Sequence, residues 1–341
     1  MRLVFVLALA IPATAQPPLF ADDAPLEAVL TFDRGRVTGD RSDSPPWYPA
    51  RLSGDEFDLE VGVRTRGFFR LHHLDCDVPP LRLNVRRRAA GGTPFEGQDK
   101  LKLVTHCDDR DRDAEQRVLL EEHVYRAYQT LTDASFRTRL VRLTYRDLED
   151  DGDGLTRWAF LIEDDDALAA RVMGEVVDRE GIHPDATDRH PVATLSVFHW
   201  LVGNTDWTVS TLHNTRIVYR HDVAMAIARG DTRAGASPLV AVPYDFDWSG
   251  VVDAPYAEPD AQLRIRSVRD RKFLGFCRPA LEADAAVRAV SSRRAEILSV
   301  FAGSPHLDAD TAEDAVDYLE DGFDEIARRG AEHVFDDCLG G

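Results

Sequence analysis

The chain has 341 residues and a formal net charge of −19, from 60 acidic and 41 basic side chains. That balance argues against a nucleic-acid partner, because a phosphate backbone asks for a basic footprint. Hydrophobic residues make up 44% of the chain, enough for the core of one large or two medium domains.

The first residues have the layout of a secretory leader: Arg2, an apolar stretch over residues 3–11, and the small-residue ending Ala13-Thr14-Ala15. Cleavage is expected after Ala15, giving a secreted or periplasmic protein with no membrane span in its mature part. Disulfides are permitted there. The four cysteines allow three pairings; locality favours Cys76 with Cys107 and Cys277 with Cys338. No C-x-x-C spacing offers a structural zinc site. Residues 16–54, rich in Pro, Ala and Asp, read as an extended lead-in.

Residues 57–69 alternate as a strand, 81–85 form a second after Pro79-Pro80, and 100–104 a third. In the third, Leu101 and Leu103 fall on one face, and Lys100, Lys102 and Val104 on the other. Residues 114–131 have helical apolar spacing. Residues 139–145 and 157–162 form a hairpin around the acidic Gly-rich turn at 150–154. As a calcium loop that turn fails, because its twelfth position is Phe160 rather than a bidentate Glu. An apolar helix over 192–202 ends at Gly203, strands follow at 215–219 and 239–242, and helices at 283–301 and 312–329. Other Asp runs, such as Asp164-Asp165-Asp166, read as solvated loops. The order is α+β: a strand-rich lobe over 55–163, then a mainly helical lobe over 164–341.

The informative constellation is Gly203-Asn204-Thr205-Asp206-Trp207, then His213-Asn214, then Tyr244-Asp245-Phe246-Asp247. Magnesium takes hard oxygen ligands, usually one or two carboxylates plus substrate phosphates and water. Asp206 is suited to accept a proton from an attacking hydroxyl, and Asn214, Asp245 and Asp247 to hold a metal on nucleotide phosphates. His213 is a further candidate ligand or base, whereas His199, on the apolar helix, reads as a satisfied core residue. Trp207 and Trp248 read as packing groups. Ser135, Ser196 and Ser249 lack a G-x-S-x-G context, which argues against a serine hydrolase.

The motif order resembles the spore-coat CotH kinase-like family of atypical secreted protein kinases. It runs Arg66-Gly67, Pro80-Leu-Arg-Leu, Gly97-x-x-Lys100-Leu-Lys-Leu, Glu121-Glu122, Phe160-Leu-Ile-Glu163, Asn204-Thr-Asp206, Asn214 and Tyr244-Asp-Phe-Asp247, spanning about 60–275. The resemblance implies a two-lobed protein-kinase-like fold, ATP with Mg²⁺ or Mn²⁺, and transfer to a Ser or Thr hydroxyl; the expected acceptor is an extracytoplasmic protein, and the chain is expected to be a monomer. It implies Asp206 as the catalytic carboxylate, Asn214 and Asp245 as metal ligands, and Glu163 near the adenine. The family's lysine-rich strand is replaced here by Pro79-Pro80-Leu81-Arg82-Leu83-Asn84, which leaves three readings of the phosphate-contacting lysine: missing, replaced by Arg82, or supplied by Lys102. An ion pair from Lys102 to Glu121 or Glu122 is expected. Two other readings stay open: an inactive binding scaffold of the same fold, and transfer of AMP. A metal-dependent hydrolase using the same acids is a third.

Overall fold

The structure, a computed structural model, describes residues 18–150, 152–230 and 236–339. The expected leader, residues 1–15, lies outside them.

Alternation builds the first half. Strand β3 (Phe57–Thr65) buries every second residue, and β4 (Leu81–Val85) and β5 (Lys100–Val104) point Leu81, Leu83, Leu101 and Leu103 into the same core. Strands β6 (Thr138–Asp147) and β7 (Leu155–Ile162) are the expected hairpin. The expected lead-in over 16–54 is overturned in its described part, residues 18–54, which supplies β1 (Leu26–Phe32) and β2 (Tyr48–Gly54), joined by the short helix α1 (Arg34–Gly39).

These two strands overturn the two-lobed kinase-like architecture. The strands close into a seven-stranded barrel in the order β1-β2-β3-β4-β5-β7-β6, rather than forming the open sheet of a lobe. The seam is β1 lying parallel to β6, from Leu26 opposite Val141 to Phe32 opposite Asp147. Closure removes every free edge, which an open sheet of this length would have to protect. Leu30, Phe32, Val63, Leu83, Leu101 and Leu143 fill the interior.

A second core covers the outer face of β5, β6 and β7. Val104, Leu140, Phe160 and Ile162 pack there on helix α3 (Arg112–Gln129), which follows a short helix α2 (Phe69–His72). Behind α3 lie α4 (Asp165–Arg171), α5 (Arg189–Val202) and a small sheet of β8 (Gly174–Val177), β9 (Thr215–Arg220) and β10 (Leu239–Pro243). Helix α6 (His221–Ala228) follows β9. The expected helix at 283–301 is two, α7 (Ala280–Ser291) and α8 (Arg294–Ala302), and α9 (Ala309–Val334) closes the chain. No helix among the described residues is long and apolar enough to cross a membrane.

Two disulfides pin this arrangement, Cys76 with Cys107 and Cys277 with Cys338. The second closes a 61-residue separation and ties the strand of chain before α7 to the segment after α9. Loop-closure entropy for a ring of that length is worth roughly 4 kcal/mol. The double variant Cys277→Ser/Cys338→Ser is expected to lose about that much unfolding free energy in urea titrations. A loss well under 1 kcal/mol would contradict the cross-link's role in the fold.

Candidate functional site

Helix α5 stops because Gly203 takes a left-handed conformation, φ 70°. A side chain there would run into the Tyr318 hydroxyl and Gly250, so the stop is enforced by packing as well. The buried Asn204 caps the next turn, its Oδ1 accepting from the Asp206 N–H at 2.9 Å. This turn delivers Asp206. Its Oδ1 lies 2.8 Å from His213 Nε2, and its Oδ2 accepts from Asn214 Nδ2, also at 2.8 Å. The hydrogen bond to Asp206 lifts the His213 imidazole above its ordinary range, with burial opposing. With its amide nitrogen turned to Asp206, Asn214 keeps its oxygen for another partner.

Asn214 and Asp245 both sit at positive φ, 49° and 63°. Asx side chains tolerate that region better than most. The Tyr244 N–H donates to the Asn214 carbonyl at 3.0 Å, and the Asp245 N–H to the Tyr125 hydroxyl of α3 at 2.7 Å. Phe246 anchors the turn: it is fully buried and meets Tyr125 edge-on, with ring centroids 4.8 Å apart. Burying Phe246 leaves its two flanking acids to face polar surroundings.

The structure thus brings Asp206, Asn214, Asp245 and Asp247 together, as expected. Asp247 accepts from the Tyr256 hydroxyl at 2.9 Å and pairs with Arg70 at 3.5 Å. Arg70 also reaches Glu121 at 3.9 Å. Burial pushes the Asp247 carboxyl up to about 6; Arg70 opposes this, while Asp245 and Asp206 reinforce it. Glu121 is driven well above the carboxylate range by burial and by Asp247. Among the described residues no group of three or more His, Cys, Asp or Glu is arranged to hold a metal ion by itself. Asn214, Asp245 and Asp247 would give an incomplete set, the kind that magnesium completes with phosphates and water.

A row of cations crosses the neighbouring strands. Arg64, Arg82 and Lys102 lie opposite one another on β3, β4 and β5, on the outer face of the barrel. Lys102 is buried and bonds Asp165 at 2.8 Å, and the other oxygen of Asp165 takes Arg216, also at 2.8 Å. Lys102 and Arg216 both lie over the Tyr244 ring, 4.6 and 4.5 Å from its centroid. Burial pulls the Lys102 ammonium below its ordinary range; Asp165 opposes, and Arg216 and Arg66 add to the pull. Arg66, just past β3, has Nε and Nη2 buried with no partner, and Arg82 has Nε in the same condition. Unpartnered buried guanidinium nitrogens are costly and suit an oxyanion.

Three expectations about these residues change. Lys102 does not pair with Glu121 or Glu122: its partner is Asp165, while Glu121 turns to Arg70. Glu122 points elsewhere, accepting from Thr138 Oγ1 at 2.8 Å and pairing with Arg126 at 3.1 Å. Successive helical residues diverge by about 100°, so one helix cannot aim both at one cleft. Glu163 is fully buried with both oxygens on Arg171, at 2.9 and 2.8 Å, so its carboxylate serves the β7–α4 junction. His199 is a core residue but not a satisfied one: both ring nitrogens lack partners, and it stacks on Trp207 at 4.4 Å. Arg70 escaped sequence reasoning altogether, because a lone arginine after Phe68-Phe69 carries no spacing signal.

No protein-family model matches the chain, and no curated protein matches it.

The raised pKa of Asp247 has a consequence for stability. An unfolded Asp titrates near 3.8 and the folded group near 6, so the stability held by its neutral form is present below 3.8 and lost as pH rises through 6. Asp247→Asn removes that loss. The variant is expected to gain on the wild type between about pH 4 and 6.5 in urea denaturation. A stability difference independent of pH would contradict the burial of this carboxyl.

Proposed function

We propose that this protein is an ATP-dependent phosphotransferase that moves a phosphoryl group onto a hydroxyl, with Mg²⁺ or Mn²⁺ on the nucleotide. One observation carries the reading: the unpartnered guanidinium nitrogens of Arg66 and Arg82 stand beside Lys102, which lies over Tyr244, the residue immediately before Asp245. In this reading the cations that lack an oxyanion and the carboxylates that lack a cation face one cleft. A nucleotide polyphosphate with its divalent ion satisfies both. The motif order shared with the spore-coat kinase-like family supports the same roles, but the fold which that family implied does not hold, so the proposal rests on the site.

In this reading Arg66, Arg82 and Lys102 bind phosphate oxygens, and Asn214 and Asp245 hold the metal, with Asp247 behind them. The metal supplies charge neutralisation on the phosphates. Asp206 accepts the proton of the attacking hydroxyl, and His213 fixes the orientation of its carboxylate through the 2.8 Å contact. Glu163, committed to Arg171, is left out. An extracytoplasmic setting belongs to the proposal, and two disulfides accord with an oxidising compartment. A protein hydroxyl as acceptor is part of the same proposal.

Ligand-dependent melting tests the nucleotide site without knowledge of the acceptor. ATP at a hundredfold excess over its dissociation constant should stabilise the wild type by roughly 2.7 kcal/mol. The stabilisation should require Mg²⁺ or Mn²⁺ and disappear in Arg66→Ala and in Asp245→Ala. Where binding holds, mass spectrometry of candidate acceptors incubated with ATP distinguishes a phosphoryl from a nucleotidyl adduct, and Asp206→Ala should abolish either. No shift with any nucleotide and metal would defeat the reading.

A further inference from the structure

A cavity of about 350 Å³ is lined in part by Arg70, Glu121 and Asp247. Asp206, Asn214, Asp245 and Lys102 do not line it. One face of α3 forms a wall, since Asp111, Ala114, Val118 and Glu121 recur at helical spacing. The loop that carries the Cys76–Cys107 disulfide and the segment at Val252, Pro255 and Tyr256 form the others.

Two residues of this lining each carry a buried acceptor with no partner. Glu121 is 1% exposed, and its Oε1 bonds nothing. His106 is 2% exposed; its Nε2 lies 2.8 Å from Asp109 Oδ1, and its Nδ1 bonds nothing. A neutral imidazole that donates from Nε2 to a carboxylate presents a bare lone pair at Nδ1. Buried acceptors left empty cost free energy comparable to a lost hydrogen bond. The charge of the lining has the same sense. Arg117 is paired with Asp111 at 2.8 Å and Arg70 with Asp247 at 3.5 Å, which leaves Asp75 and Asp108 without a guanidinium in the lining, and a cation beside Glu121 favours its ionised form. Leu74, Val118 and Val252 give the cavity an apolar side.

We infer that this cavity is a binding site for a small alkylammonium, with its NH₃⁺ group donating to Glu121 Oε1 and His106 Nδ1 and its hydrocarbon body against Leu74, Val118 and Val252. An ammonium is the group that fits, because it brings donors only and a positive charge. A neutral alcohol leaves the charge uncompensated, and a carboxylate meets like charge. The site abuts the cleft proposed for nucleotide through Asp247 but does not depend on that proposal.

Ligand-observed NMR with n-butylammonium, n-butanol and butyrate, on the full chain without nucleotide or metal, tests the inference. Saturable binding of n-butylammonium is expected, with n-butanol and butyrate at least about tenfold weaker. Glu121→Gln should weaken the amine about tenfold or more. Ala114→Leu, which fills the cavity from the α3 wall, should abolish binding; it decides the matter if Glu121→Gln does not fold. Absence of n-butylammonium binding, equal binding of n-butanol, or binding unchanged by Ala114→Leu would each overturn the assignment. Loss of nucleotide binding with amine binding intact would defeat only the phosphotransfer reading.

Discussion

The turn at Tyr244-Asp245 is the constraint on which the site depends. Its backbone is held from two sides, by the Asn214 carbonyl and by the Tyr125 hydroxyl of α3. Its aromatic ring carries Lys102 from the barrel and Arg216 from the small sheet. Barrel, central helix and helical half therefore meet at one residue pair. Each ring–cation contact is worth up to about 2 kcal/mol when desolvated. The larger effect is geometric: moving this turn would separate the acids from the cations.

Electrostatics explain why the arrangement is polarised and not simply neutralised. Arg70 is shared between Glu121 and Asp247, so one guanidinium serves two buried carboxylates. Burial raises both acids, and the one shared guanidinium opposes it. On the barrel side the imbalance is reversed, because Asp165 is divided between Lys102 and Arg216 while Arg66 and Arg82 keep unpartnered nitrogens. Two opposite shortfalls on either side of the Tyr244-Asp245 turn are expensive in an isolated protein. In the proposed function a ligand that brings both an anion and a divalent cation relieves them together. Within this account Phe246 supplies the packing that holds the cluster in place, through contact with Tyr125 and Phe198.

Much of the site was legible in the sequence because its determinants are local. Gly203 as a helix stop, Asn204 as a turn former and the alternation of residues 100–104 each act within a few residues, so the turn that carries Asp206 and the strand that carries Lys102 lie where expected. The barrel was not legible. Its seam pairs Leu26 with Val141 in parallel, across more than a hundred residues, and neither strand carries a mark of its partner. The partnership of Lys102 was hidden for the same reason: Asp165 sits in an acidic run that reads as solvated loop, and only folding sets it against β5. Glu121 and Glu122 were indistinguishable by type; their 100° separation on α3 sends one to Arg70 and the other to Thr138.

The central claim is that protein acids and nucleotide phosphates complete one metal site between them. Titration of Mn²⁺ into the protein, with free Mn²⁺ read by electron paramagnetic resonance, tests it most directly. The account predicts weak Mn²⁺ binding to the protein alone, binding to the protein–ATP complex far tighter than to either component, and loss of that synergy in Asp245→Asn. Mn²⁺ affinity unchanged by ATP, or synergy that survives Asp245→Asn, would contradict it.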